Sequence, residues 1–217
     1  MSEDIKIIQC KNLFFGYSKN LLFNNLNSYF SQGHIYGLLG KNGAGKTTLL
    51  KCIAGLLHPD KGEVEIYGKK SIKKEPSILK EIFFYPENFY LPSLDGKKYC
   101  ELYSPFYPDF DKDYFLKTCD SFEIPLNKNL STFSFGQKKK FYLAFGLSTF
   151  AKIMLLDEPT NGLDIPSKSA VRKKLAESLN ENQIFIISTH QVRDLSQIFD
   201  SIIILAEGRI IFNNSID

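Results

Sequence analysis

The apolar positions of the chain follow two different spacings, and the alternation between them predicts the order of elements. Near the start, Ile5-Lys6-Ile7-Ile8 and Leu13-Phe14-Phe15 are short apolar runs of strand type, and Ser28 to Phe30 leads into a turn at Gln32-Gly33. Ile35-Tyr36-Gly37-Leu38-Leu39 predicts a buried strand that runs directly into a glycine-rich segment at Gly40. From Thr47 to Leu57 the spacing turns helical, with Leu49, Leu50, Ile53, Ala54 and Leu57 on one face, and His58-Pro59-Asp60-Lys61-Gly62 ends it. Glu63-Val64-Glu65-Ile66-Tyr67 alternates, as a strand with one wet face does. Further on, Ile153-Met154-Leu155-Leu156 and Ile184-Phe185-Ile186-Ile187 are apolar on both faces, which suits a central parallel sheet covered by helices. A helix over Lys168 to Leu179 fits between them. Ile202 to Leu205, Glu207-Gly208 and Arg209 to Phe212 predict a closing hairpin. Residues 88–133 break the pattern with aromatics, prolines and short helical spacings, among them Tyr99, Tyr103, Phe106, Tyr107, Phe110, Tyr114 and Phe115. They predict a helical subdomain inserted into a core made of residues 1–87 and 134–217.

Composition narrows the function by exclusion. The 217 residues are 43% hydrophobic and 24% charged, a globular mixture for one domain. A net charge of +3 is too small to argue for a nucleic-acid partner, and none is expected. Cys10, Cys52, Cys100 and Cys119 are scattered, without CxxC or paired His spacing, so reduced thiols are expected and not a zinc site or disulfide frame. Met1-Ser2-Glu3-Asp4 is acidic where a signal peptide is basic. The longest aliphatic run, Ile202 to Ala206, is far below the roughly 20 residues a spanning helix needs. If the protein serves a membrane, another chain crosses it.

Two segments carry chemistry. Gly40-Lys41-Asn42-Gly43-Ala44-Gly45-Lys46-Thr47 fits GxxxxGK[ST] between a predicted strand and a predicted helix. The glycines let backbone N–H groups face phosphate oxygens, and the following helix, on which Thr48 continues, adds its positive end. Lys46 reaches the β- and γ-phosphates in this reading, and Thr47 offers its hydroxyl to Mg²⁺. The second segment is Asp157-Glu158, at the end of an apolar strand where a parallel sheet lines its ligand crevice. Asp157 is placed to hold Mg²⁺, and Glu158 to orient or deprotonate an attacking water. Alone the pair reads equally well as a strand followed by a polar loop; the phosphate loop gives it weight. The pattern therefore predicts an α/β fold, a P-loop NTPase core with an antiparallel β-subdomain and an inserted helical subdomain.

Three further segments resemble the ATP-binding cassette (ABC) family along essentially the whole chain. Phe133-Ser134-Phe135-Gly136-Gln137 resembles that family's signature, usually LSGGQ; Asn161-Gly162-Leu163-Asp164 resembles its D-loop; Ser188-Thr189-His190 resembles its switch histidine. The resemblance implies ATP and Mg²⁺ as ligands and hydrolysis of ATP to ADP and phosphate. It implies a dimer of cassettes, identical or paired with a related one, in which Ser134, Gly136 and Gln137 meet the ATP of the other protomer. His190 then contacts the γ-phosphate and registers its loss. Tyr17 resembles the aromatic that stacks on adenine, with ordinary packing as the alternative. Phe135 stands where the first signature glycine is usual, and Glu87 where the Q-loop glutamine is usual, beside the metal; some relatives with a glutamate there look like exporters. Lys138-Lys139-Lys140 reads as the solvated face of the signature helix. The implied role is to energise a separate transmembrane permease from the cytoplasmic face of the membrane. A soluble cassette ATPase of a cytosolic complex, such as one for iron–sulfur assembly, is the alternative, and a nucleotide sensor with little turnover a third, disfavoured by Glu158.

Overall fold

The computed structural model describes residues 6–18 and 20–215. The acidic residues Met1 to Asp4 and the expected start of a strand at Ile5 lie outside them. The first half runs β1 (Lys6–Tyr17), β2 (Asn20–Ser31), β3 (His34–Leu39), α1 (Lys46–Ile53), β4 (Lys61–Ile66), β5 (Lys69–Lys70), α2 (Pro76–Leu79) and β6 (Ile82–Tyr85). The second half runs α3 (Gly96–Tyr103), α4 (Lys112–Ser121), α5 (Phe135–Ser148), β7 (Ile153–Asp157), α6 (Ile165–Ser178), β8 (Ile184–Thr189), α7 (Val192–Leu195), β9 (Ser201–Ala206) and β10 (Arg209–Ser215). The two apolar runs expected as separate strands near the start are one strand, β1, whose pairing with β2 shifts register between Cys10 and Leu13. Irregularities of this kind let a strand continue through polar residues such as Lys11 and Asn12.

Two sheets form. An antiparallel sheet has the order β2-β1-β4-β5, and a six-stranded sheet the order β10-β9-β3-β8-β7-β6. In the larger sheet β9, β3, β8, β7 and β6 are parallel, and β10 closes the edge as an antiparallel hairpin with β9. Every residue of β7 and β8 is buried. Their side chains divide by alternation. Met154, Leu156, Phe185 and Ile187 join one apolar core with α5 and the aromatics of the inserted segment, while Ile153, Leu155, Ile184 and Ile186 join a second with α1 and the antiparallel sheet.

Helix α1 ends at Ile53, four residues before the expected Leu57. Gly55 adopts φ +68, and the N–H groups of Gly55 and Leu56 return to the carbonyls of Cys52 and Lys51 at 3.1 and 2.8 Å, a closing turn that overrides the apolar spacing. Conversely α6 starts three residues before the expected Lys168, because the Asp164 side chain accepts from the Ser167 N–H and Pro166 fits the first turn. Among the described residues, no helix is long and apolar enough to cross a membrane. All four cysteines are free and buried.

Candidate functional site

Strands β3, β8 and β7 are neighbours, and each ends in one of the expected motifs. Register pairs Leu39 with Thr189 and Asp157 with Ser188, so the carboxyl ends of all three strands lie level with the loop at Gly40. This is the edge of a parallel sheet at which ligands bind. After β3 the chain turns through Gly40 to Gly45 into α1. Gly45 caps the helix at φ +104, and a Cβ there would lie 2.6 Å from the Phe23 ring, so only glycine fits. The first helical bond runs from Leu49 N–H to the Gly45 carbonyl at 2.8 Å. The N–H groups of Lys46, Thr47 and Thr48 precede it and are left without helical acceptors at the positive end of the helix.

A cavity of about 500 Å³ opens over this end. Of the expected ligand-binding residues, Tyr17, Asn42, Gly43, Gly45, Lys46, Thr47, Thr48, Glu87, Glu158 and His190 line it, together with Leu22 and Asn161. Gly40 and Lys41 contribute backbone: their carbonyls accept from Lys46 Nζ at 2.9 and 3.3 Å. Ala44 donates its N–H to the Lys41 carbonyl at 3.1 Å, which closes the loop. Lys46 is buried, and its Nζ also lies 3.8 Å from Glu158 Oε1. Tyr17 is half exposed at the rim, its hydroxyl 3.2 Å from Thr48 Oγ1.

Opposite the loop, Asp157 and Glu158 are both buried. Thr47 Oγ1 donates to Asp157 Oδ2 at 2.7 Å, and Ser188 Oγ donates to Asp157 Oδ1 at 2.5 Å. A hydroxyl and a carboxylate side by side are hard oxygen donors of the type Mg²⁺ takes together with substrate phosphates. Among the described residues no three His, Cys, Asp or Glu cluster in a way that could hold a metal ion. Glu158 has φ +48, and its N–H donates to the Ser188 carbonyl and hydroxyl, both at 3.1 Å. Its Oε1 is 2.8 Å from His190 Nδ1. Gln191 Nε2 stands 3.2 Å from His190 Nε2, so the network is satisfied when Nδ1 carries the proton toward Glu158 and Nε2 accepts. Glu87 lines the same cavity and accepts from Asn161 Nδ2 at 2.8 Å.

The signature residues stand apart. Ser134 caps α5 in a reciprocal box: its Oγ accepts from the Gln137 N–H at 3.2 Å, and Gln137 Oε1 accepts from the Ser134 N–H at 3.0 Å. With Gly136 they line a separate depression of about 300 Å³ beside Gly162, Leu163 and Asp164.

The ABC transporter family profile matches residues 23–161, well over half of the chain. This chain belongs to the ABC transporter family. Within it the chain is an ATP-binding, ATP-hydrolysing subunit. It is 31% identical to the SkfA peptide export ATP-binding protein SkfE of Bacillus subtilis (strain 168), over 95% of this chain and 88% of SkfE. It is 29% identical to the ABC transporter ATP-binding protein YtrB of the same strain over 84% of this chain, and the match spans 63% of YtrB's length. Its fold matches a solved ATP-binding subunit of an ABC transporter with a TM-score of 0.86, at 24% identity, over 97% of this chain and 90% of that one. None of these relatives supports the cytosolic-complex alternative.

One expectation about this cassette is corrected. Lys139 is not on a solvated helix face; it is 1% exposed, and its Nζ donates to the carbonyls of Glu158 at 2.8 Å and Asn161 at 2.9 Å. Burial pulls its ammonium down to about 8, against the opposing pull of Glu87, Glu158 and Asp157. The sequence does not single out Ser188 or Asn161 as site residues, although both lie within the motifs. No spacing signal marks a hydroxyl that points sideways to the neighbouring strand.

Proposed function

We propose that the cavity binds ATP with Mg²⁺, and that two cassettes, identical or related, close so that Ser134, Gly136 and Gln137 of each cover the nucleotide of the other. The observation that carries this reading is the position of Glu158. Its buried carboxylate faces the phosphate-loop cavity between Lys46 and His190, while the second anion-binding helix end, at Ser134, opens elsewhere. Lys46 and the free N–H groups of α1 take the β- and γ-phosphates. Tyr17 at the rim stacks on adenine. Thr47, Asp157 and, from the Q-loop position, Glu87 would hold Mg²⁺, which when bound would supply neutralising charge for the transferred phosphoryl group. Glu158 accepts the proton of the attacking water; the water oxygen bonds to the γ-phosphorus as the bond to the bridging oxygen of ADP breaks. His190 orients Glu158 and reports the γ-phosphate.

The closed dimer drives a separate transmembrane permease, which places the cassette on the cytoplasmic face of the membrane. SkfE, a peptide export ATP-binding protein, and the glutamate at position 87 both support export as the direction. Glu158→Gln keeps shape and hydrogen bonding but removes the base. It is expected to bind ATP, to turn over at least 100-fold more slowly and to accumulate as a dimer with ATP. Turnover at the wild-type rate overturns the assignment.

A further inference from the structure

In the lysine run after the signature, Lys138-Lys139-Lys140, only the middle side chain is buried. Lys139 is the fifth residue of α5, at the start of its second turn, and reaches sideways, out of its own helix, into the loop that follows β7. Its ammonium joins two carbonyls three residues apart, those of Glu158 and Asn161. The loop closes between the same two residues, with the Asn161 N–H donating to the Glu158 carbonyl at 3.2 Å. Glu158 holds φ +48, a left-handed conformation that is uncommon for a residue with a side chain. The Phe135 ring lies over the ammonium at 5.3 Å. That ring occupies space beside Gly162 where a Cβ would come within 2.6 Å of it. Phe135, the departure from the usual signature, thus roofs the contact. A charge this buried is expensive, and replacing buried ionic groups by apolar residues of similar size is often neutral or stabilising. Its value therefore lies in what it holds.

We propose that Lys139 is a positioning residue for hydrolysis: by clasping the Glu158 and Asn161 carbonyls it fixes the left-handed backbone from which the Glu158 carboxylate faces the cavity, and ties that backbone to the signature helix. This rests on the reading of Glu158 as the hydrolytic base. Asn161, held on one side by Lys139, holds Glu87 on the other through its amide. One ammonium thereby connects three parts of the cassette that must act together: the signature helix, the base and the Q-loop position.

The test uses the full chain as wild type, Lys139→Met, Lys139→Gln and Glu158→Gln, with turnover of Mg-ATP and affinity for a fluorescent ATP analogue measured separately. Methionine matches the length and donates nothing; it is expected to lower kcat about 30- to 100-fold with ATP affinity within twofold of wild type, the size of loss that follows from displacing a reacting group by about 1 Å. Glutamine, uncharged and shorter but with two donors, is expected to be three- to tenfold slower at the same affinity. Wild-type turnover in either variant, or a loss of turnover matched by an equal loss of affinity, overturns the proposal. Should Lys139→Met fail to fold, Lys139→Gln carries the decision by the same criteria. Glu158→Gln separates the two levels: if it is silent while the Lys139 variants run normally, the positioning role falls and the base stands; if it turns over normally, the base itself is wrong.

Discussion

Ser188→Ala perturbs the site from behind, at a residue that does not itself line the cavity. The Ser188 hydroxyl is fully buried, donates to Asp157 Oδ1 at 2.5 Å and accepts from the Glu158 N–H at 3.1 Å. Alanine removes both contacts, but the Glu158 N–H keeps the Ser188 carbonyl, also at 3.1 Å, so that donor is not orphaned. The net loss is then one hydrogen bond to a buried carboxylate, about 1.5–3 kcal/mol. For a domain of this size each kcal/mol moves Tm by about 2–4 °C, so a loss near 2 kcal/mol lowers it by about 4–8 °C. Asp157 also loses the partner that orients it toward Thr47. Outer partners of this type typically contribute about 10- to 100-fold to metal affinity, so the Mg²⁺ concentration for half-maximal turnover rises within that range. Thermal unfolding by circular dichroism reads the first effect, and a Mg²⁺ titration of ATP turnover the second. A Tm within 1 °C of wild type refutes the claim that this hydroxyl anchors Asp157. A normal Tm drop with an unchanged Mg²⁺ profile places Asp157 away from the metal.

Three other perturbations test separate parts of the site. Lys46→Ala removes a charge-assisted contact worth about 1.5–3 kcal/mol, so affinity for ATP falls about 10- to 150-fold in equilibrium titration while the far-ultraviolet spectrum is retained. A Cβ at Gly136 meets only Leu163 Cδ2, at the ordinary distance of 3.5 Å, so Gly136→Val is expected to fold and yet lose ATPase activity, whereas Phe135→Gly keeps it; the opposite pattern means the signature is misaligned. Lys139 titrates near 8 in the folded protein and near 10.4 when unfolded, so below pH 8 both states hold its proton and the burial penalty is present in full. Between those values the unfolded state holds more protons and stability rises with pH. The stability of wild type relative to Lys139→Gln is expected to grow by about 1 kcal/mol from pH 8 to pH 9 in urea unfolding, and a flat difference contradicts the burial of a titrating ammonium.

What was readable in the sequence is what period and local chemistry encode. Leu156 and Ile187 announce buried strands because both faces of the central sheet are covered, and the glycines from Gly40 to Gly45 announce a phosphate loop because few other residues permit that backbone. The failures at Lys139 and Ser188 share a cause: each depends on a partner distant in the chain. Lys139 looks like one of three solvated lysines, and only the fold shows that its side chain is directed at carbonyls 19 and 22 residues away. Ser188 looks like a small residue before a histidine until β8 is laid beside β7. The end of α1 is missed for a local reason: Leu57 continues the apolar spacing, but Gly55 and the returning N–H groups stop the helix first.

The four buried thiols make the chain a ready background for site-directed labelling. Burial pushes Cys52 and Cys119 up to about 12 and drives Cys10 and Cys100 upward as well. At pH 7 a thiol near 12 is thiolate in only about one molecule in 10⁵, against a few per cent for an exposed cysteine, and the thiolate is the form that maleimides capture. A cysteine introduced at Ile165, 84% exposed beside the depression of the signature, therefore outcompetes Cys52 and Cys119 by about three orders of magnitude before shielding is counted, and burial disfavours Cys10 and Cys100 in the same direction. A spin label or fluorophore at that one position can report the approach of two cassettes in an otherwise unaltered chain.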